Sequence, residues 1–166
     1  MGFPSPAVED ALRRRHPTLR WVVYETSTPW TFVHSPAVIA DVFVEVVSAR
    51  RVEPAGALVA CFCGWGFGPI GFGVTTSSKP PRLPSGAVEI AARVIDVTGG
   101  ELRLGPAPID GFDEGVTLPC PHTRVKVTVA HVPFDAEAPE SGWLYVMAHP
   151  ETSDDARSGE VVNCEV

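Results

Sequence analysis

The chain has 166 residues, 45% hydrophobic and 20% charged, which fits one globular domain and excludes whole-chain disorder. Its 17 prolines and 15 glycines exclude a long helical bundle or coiled coil. Of the net charge of −7, none comes from residues 1–132, so the excess acidity lies entirely in the last 34 residues.

The first element is a short helix over about residues 5–16. Ser5 stands at the cap, Pro6 at the first helical position, Glu9 and Asp10 near the positive end of the dipole and Arg13, Arg14 and Arg15 in the last turn. Ala7, Val8, Ala11 and Leu12 make an apolar stripe for docking on a sheet. Beyond Pro17 the period changes to two. Val42, Val44 and Val46 alternate with Asp41, Phe43 and Glu45; Val88, Ile90, Ala92 and Val94 with Glu89, Ala91 and Arg93. Val125, Val127 and Val129 alternate with Arg124, Lys126 and Thr128; Leu144, Val146 and Ala148 with Trp143, Tyr145 and Met147. Such alternation predicts strands with one face to a core and one to water. Further strands are expected at 20–25, 30–34, 57–63, 70–76 and 101–104, with Thr98-Gly99-Gly100 as a tight hairpin turn. Many short strands without intervening helices predict an all-β fold: an antiparallel two-sheet β-sandwich with one short N-terminal helix, occupying residues 1–150. Residues 151–166 are polar, acidic and aperiodic, and are expected to form a disordered tail.

Several function classes lack their signals. No basic stripe marks a nucleic-acid surface, and no apolar run approaches the ~18–20 residues of a membrane span. The N-terminal residues lack the charged and apolar regions of a secretory signal, so a cytoplasmic location, with reduced cysteines, is expected. No G-x-S-x-G elbow or H-E-x-x-H pair is present, and the absence of a catalytic pattern favours a non-enzyme over the alternative of a small enzyme with an unrecognised site. Gly66-Phe-Gly68-Pro-Ile-Gly71 has the letters of a dinucleotide loop, but strand-like residues follow it where a helix is required.

Two features remain as candidate sites. Cys61-x-Cys63 and Cys120-x-His122 supply three thiols and an imidazole, a ligand set that suits tetrahedral zinc if the pairs converge. The plainer alternative is small buried residues on a strand. For a partner surface there are two candidates. One is the glycine-aromatic segment 64–73, with Trp65 and Phe67 as contacts; the other is the acidic group Asp135, Glu137 and Glu140, suited to a basic protein surface.

Residues 83–149 add a resemblance. They run through Leu83-Pro-Ser-Gly-Ala-Val-Glu-Ile, Gly99-Gly-Glu-Leu-Arg-Leu, Leu118-Pro119, Arg124-Val-Lys-Val and the closing Trp143-Leu-Tyr-Val-Met-Ala-His-Pro. In order and layout this resembles small bacterial β-sandwich proteins of the competence-protein-J group, some of which inhibit a partner nuclease. Cys120-Pro121-His122 stands where that group has a proline-glycine turn. The resemblance implies a two-sheet fold and a protein-binding role, and transfers no functional residue; with the missing catalytic signals and the acidic C-terminal end it leads to the expectation of an inhibitor or immunity-type partner of another protein.

Overall fold

The computed structural model describes residues 4–25, 30–38, 41, 43, 59–63, 67–106, 115–135 and 138–151. The helix α1 spans Pro6–Arg15, with Pro6 at its start and Arg13 to Arg15 in its last turn. Ser5 makes no side-chain cap, and the expected stripe narrows to Leu12, since Ala7 and Val8 are exposed.

Among the described residues nine strands follow: β1 Arg20–Glu25, β2 Trp30–His34, β3 Val59–Cys63, β4 Phe67–Val74, β5 Val88–Asp96, β6 Glu101–Gly105, β7 Val116–Pro119, β8 Arg124–Asp135 and β9 Ala138–Pro150. They form two sheets, one in the order β1-β4-β9-β8-β5 and the other β3-β2-β6-β7. The chain is therefore mostly β, with two sheets and a short N-terminal helix.

Four expectations need correcting. Of the strand expected at residues 41–46, the two described residues, Asp41 and Phe43, are helical, and the others lie outside the described residues. Phe43 is fully buried, its ring set edge-on to Phe32 and His34. Burial of one aromatic against a sheet needs no strand, and alternation over six residues does not separate the two cases. Secondly, Gly99 and Gly100 do turn the chain with φ of 74° and 71°, but they connect different sheets. β5 pairs with β8, whereas β6 pairs with β2 and β7. Glycine supplies the positive φ for either kind of turn, so it does not specify a hairpin. Thirdly, β4 and β9 run parallel, from Ile70 beside Leu144 to Val74 beside Ala148. The crossover between them contains strands instead of a helix, which period-two patterning does not reveal. Lastly, β9 shows no water face between Trp143 and His149, where every residue is buried.

The last point reflects a three-layer build. Between the sheets lie Val33, Ile70, Phe72, Ile95, Leu102, Leu104, Val125, Val127, Leu144 and Val146. Behind the five-stranded sheet a second cluster joins Leu12 of α1 and Leu19 to Ala130, Val132, Trp143, Tyr145 and Met147. A strand covered on both faces becomes apolar at odd and even positions alike.

Candidate functional site

The two halves of the proposed metal set are not brought together. Cys61 pairs with Phe32 on β2, and Phe32 pairs with Gly105 at the end of β6. Cys120 follows β7, and its N–H donates to the carbonyl of Gly100, before the start of β6. Three strand spacings and about five residues of rise separate the pairs, roughly 20 Å in all. Cys120 is itself a buried core residue whose thiol donates to the carbonyl of His122, and burial pushes its pKa up. The His122 ring lies with Nε2 3.1 Å from the carbonyl oxygen of Thr75. Among the described residues no three of His, Cys, Asp and Glu form a group fit for a metal ion.

The glycine-aromatic segment is largely strand. Phe67 opens β4 opposite Glu25 of β1, while Trp65 lies outside the described residues. Two of its glycines have a packing role. A Cβ on Gly71 would stand 2.9 Å from the Trp21 ring, and one on Gly73 would stand 2.7 Å from the methyl carbon of Met147. Only a bare backbone lets these large side chains lie flat on the sheet. The strand continues through Gly71 where a dinucleotide loop would open a helix.

Of the acidic candidates, Asp135 ends β8 and pairs with Ala138, Glu140 lies within β9, and Glu137 lies outside the described residues. Because β4 and β9 are parallel neighbours, with Ile70 beside Leu144, their starts reach the same end of the sheet. Phe67 and the acidic hairpin, separate in sequence, therefore share one end of the five-stranded sheet, about one strand spacing apart.

Sequence reasoning missed three exposed apolar side chains near that end: Val88 and Ile90 on β5 and Phe134 on β8. The adjacent apolar pair Val94-Ile95 was a signal, since strict alternation cannot bury both on one face. It also missed the contact of His16 with Tyr145, whose Nε2 and hydroxyl oxygen lie 2.7 Å apart beneath α1. Burial, and then the neighbouring Arg15 charge, lower the His16 pKa, while burial raises that of Tyr145. Neither group is exposed enough to meet a substrate, and the pair fastens the helix end to β9.

His131 is buried at the end of the apolar row on β8, and burial lowers its pKa. Burial also dominates the lowering at His34 and at His149. No helix among the described residues is long and apolar enough to cross a membrane.

No protein-family model matches the chain, and no curated protein matches it. Solved structures do. A chain described as crocagin biosynthetic gene J superposes with a TM-score of 0.55 at 13% identity, covering 81% of this chain and 97% of its own. ComJ from Bacillus subtilis, described as an inhibitor of the DNA degrading activity of NucA, gives 0.49 at 11% identity over 80% and 95%. The likeness to the first of these is one of fold.

Proposed function

We infer that the chain is a non-enzymatic protein-binding domain, an inhibitor or immunity-type partner of another protein whose contact surface is basic. The observation that carries this reading is the gathering of features at one end of the five-stranded sheet. The start of β4 at Phe67, the exposed Phe134 and the acidic β8–β9 hairpin meet there. Interfaces of this kind pair a desolvated aromatic anchor with a charged rim that steers approach. The inhibitor part of the reading comes from the resemblance of residues 83–149, and the likeness of fold adds nothing to it.

The test is affinity capture from the source cell followed by association kinetics with the purified partner. Neutralising Asp135, Glu137 and Glu140 should slow association several-fold at low salt and change dissociation much less. The wild-type on-rate should fall steeply between 0.1 and 1 M salt, as the Debye length contracts from about 10 Å to about 3 Å. An on-rate indifferent to salt would remove the acidic hairpin from the interface. Failure to capture any protein would remove the binding reading itself.

A further inference from the structure

Two stretches of the chain carry positive charge without any acid. Residues 11–24 and 64–88 contain Arg13, Arg14, Arg15, Arg20, Lys79 and Arg82 and no aspartate or glutamate. The fold joins the two stretches at three places. Arg20 stands beside Phe72 on β4. The N–H of Val74 donates to the Thr18 hydroxyl at 3.0 Å. The Arg15 guanidinium donates to the carbonyl of Arg82 at 3.1 Å. All six cations are exposed. Arg13 is held by Glu9 one turn earlier, but among the described residues Arg14, Arg15, Arg20, Lys79 and Arg82 have no carboxylate partner. Of the bordering acids, Asp10 lies one turn before Arg14, Glu25 ends β1 beside Phe67 at the other end of the sheet, and Glu89 lies on β5, the edge strand farthest from β1. Unpaired cations gathered on one face set up a positive potential that draws an anionic segment.

An acidic segment of the same chain starts beside this face. β9 runs parallel to β4 with Ala148 beside Val74, and the N–H of Thr75 donates to the Ala148 carbonyl at 2.8 Å. The segment carrying Lys79 and Arg82 therefore leaves the sheet one strand away from the end of β9 at Pro150. Residues 152–166 contain Asp154, Asp155, Glu160 and Glu165 against Arg157 alone. Reach is sufficient. His16, next to Arg15, meets Tyr145, which lies about 20 Å back along the strand from Glu151. Nine extended residues span about 30 Å, so Glu160 passes that distance with slack. Tethering also sets an effective concentration of order millimolar, well above that of a second copy or a separate acidic protein in dilute solution.

We propose that residues 152–166 dock on this arginine face, so that any acidic partner must displace them. Asp154, Asp155 and Glu160 meet Arg14, Arg15, Lys79 and Arg82. Exposed ion pairs add little to fold stability, so the contact governs access to the face and not folding. The proposal is independent of the protein-binding reading, which concerns the opposite end of the sheet.

Lys79 and Lys126 are the chain's only lysines, so carbodiimide coupling, which joins lysine amines to carboxyls without a spacer, gives few products to map. In the full-length chain at low salt, Lys79 should couple to Asp154, Asp155 or Glu160 within one molecule, with a yield independent of protein concentration. In 1 M salt, where the Debye length is about 3 Å, the yield should fall about fivefold or more. Arg14→Gln combined with Arg82→Gln, both at exposed side chains, should lower it about threefold at low salt and keep the wild-type melting temperature. A second readout is the amide spectrum of the full-length, isotope-labelled chain. Changing Asp154 and Asp155 to Asn and Glu160 and Glu165 to Gln should shift the backbone amides of residues 13–20 and 78–83 at low salt. No coupling of Lys79 to residues 154–165, a yield indifferent to salt, products only between two chains, or amide shifts confined to the neighbourhood of Glu151 would each overturn the proposal.

Discussion

Gly71 and Gly73 show how one absent methyl group decides a local fold. Each faces a side chain too large to share the sheet surface with a Cβ: the Trp21 ring at one, the end of Met147 at the other. Met147 ends in a flexible thioether and can give way, whereas the indole is rigid. Gly71→Ala is therefore expected to cost about 1–3 kcal/mol by overpacking, and Gly73→Ala less. Urea denaturation of the two variants tests the order, and equal losses would mean that Trp21 moves as readily as Met147. The buried histidines set a second expectation at this scale. Burial holds the pKa values of His16, His34, His131 and His149 below the ordinary imidazole value of 6.5. The unfolded chain then binds more protons than the folded one as pH falls past 6.5. The stability these groups confer is fully present above that pH and is lost as pH falls through it towards their folded pKa values. A series of denaturation midpoints from pH 8 to 5 should decline below about 6.5. A flat series would show that the histidines protonate in place.

Among the elements, α1 is held by few residues. Leu12 is buried and Val8 is 40% exposed, although both belong to the stripe visible in the sequence. Leu12→Ala should cost ~2–5 kcal/mol by leaving a cavity under the helix. Val8→Ala should stay within about 0.5 kcal/mol, as surface changes usually do. Comparable losses from the two, measured by thermal melts, would place Val8 in the interface. The helix was legible because proline, acids and arginines occur in the order its dipole and hydrogen-bond ends require. The strands were legible wherever one face meets the core, as at Val125, Val127 and Val129. β7 escaped because four residues, Val116–Pro119, hold too little alternation to register. The candidate surface was half legible. Charge singled out Asp135, Glu137 and Glu140, but Ile90 looked like a core residue because the bulge that exposes it is a feature of pairing. Pairing partners, strand direction and sheet membership are long-range properties, and period-two patterning carries none of them.

For the molecule as a whole, β9 stays paired with β8 to its last residue, Pro150 beside Val125. The N–H of Glu151 donates to the carbonyl of Arg124 just past β9, and the tail expected at 151–166 lies outside the described residues from 152 on. Deleting residues 153–166 should shift the melting temperature by less than about 2 °C, since ~1 kcal/mol corresponds to roughly 2–4 °C in a chain of this size. A larger drop would make the tail part of the packed body. The separation of Cys61 and Cys63 from Cys120 and His122 predicts that purified protein carries no stoichiometric zinc and melts unchanged with a chelator. One bound equivalent with a chelator-sensitive melt would show the pairs meeting after all.

The parallel pairing of β4 with β9 bears on the order in which the molecule is made. β4 emerges early in synthesis, and of its two partners β1 is already present while β9 comes last among the strands. Until Ala138–Pro150 has left the ribosome, β4 and β8 are both open edges, and the aromatic side of the sheet lacks Trp143, Tyr145 and Met147. A nascent chain stalled before Ala138 would hold two partial ribbons joined only through the second sheet, a state prone to mispair. Completion therefore hinges on the insertion of one late strand between two waiting ones, a high-contact-order step that should make folding slow for a chain of this length.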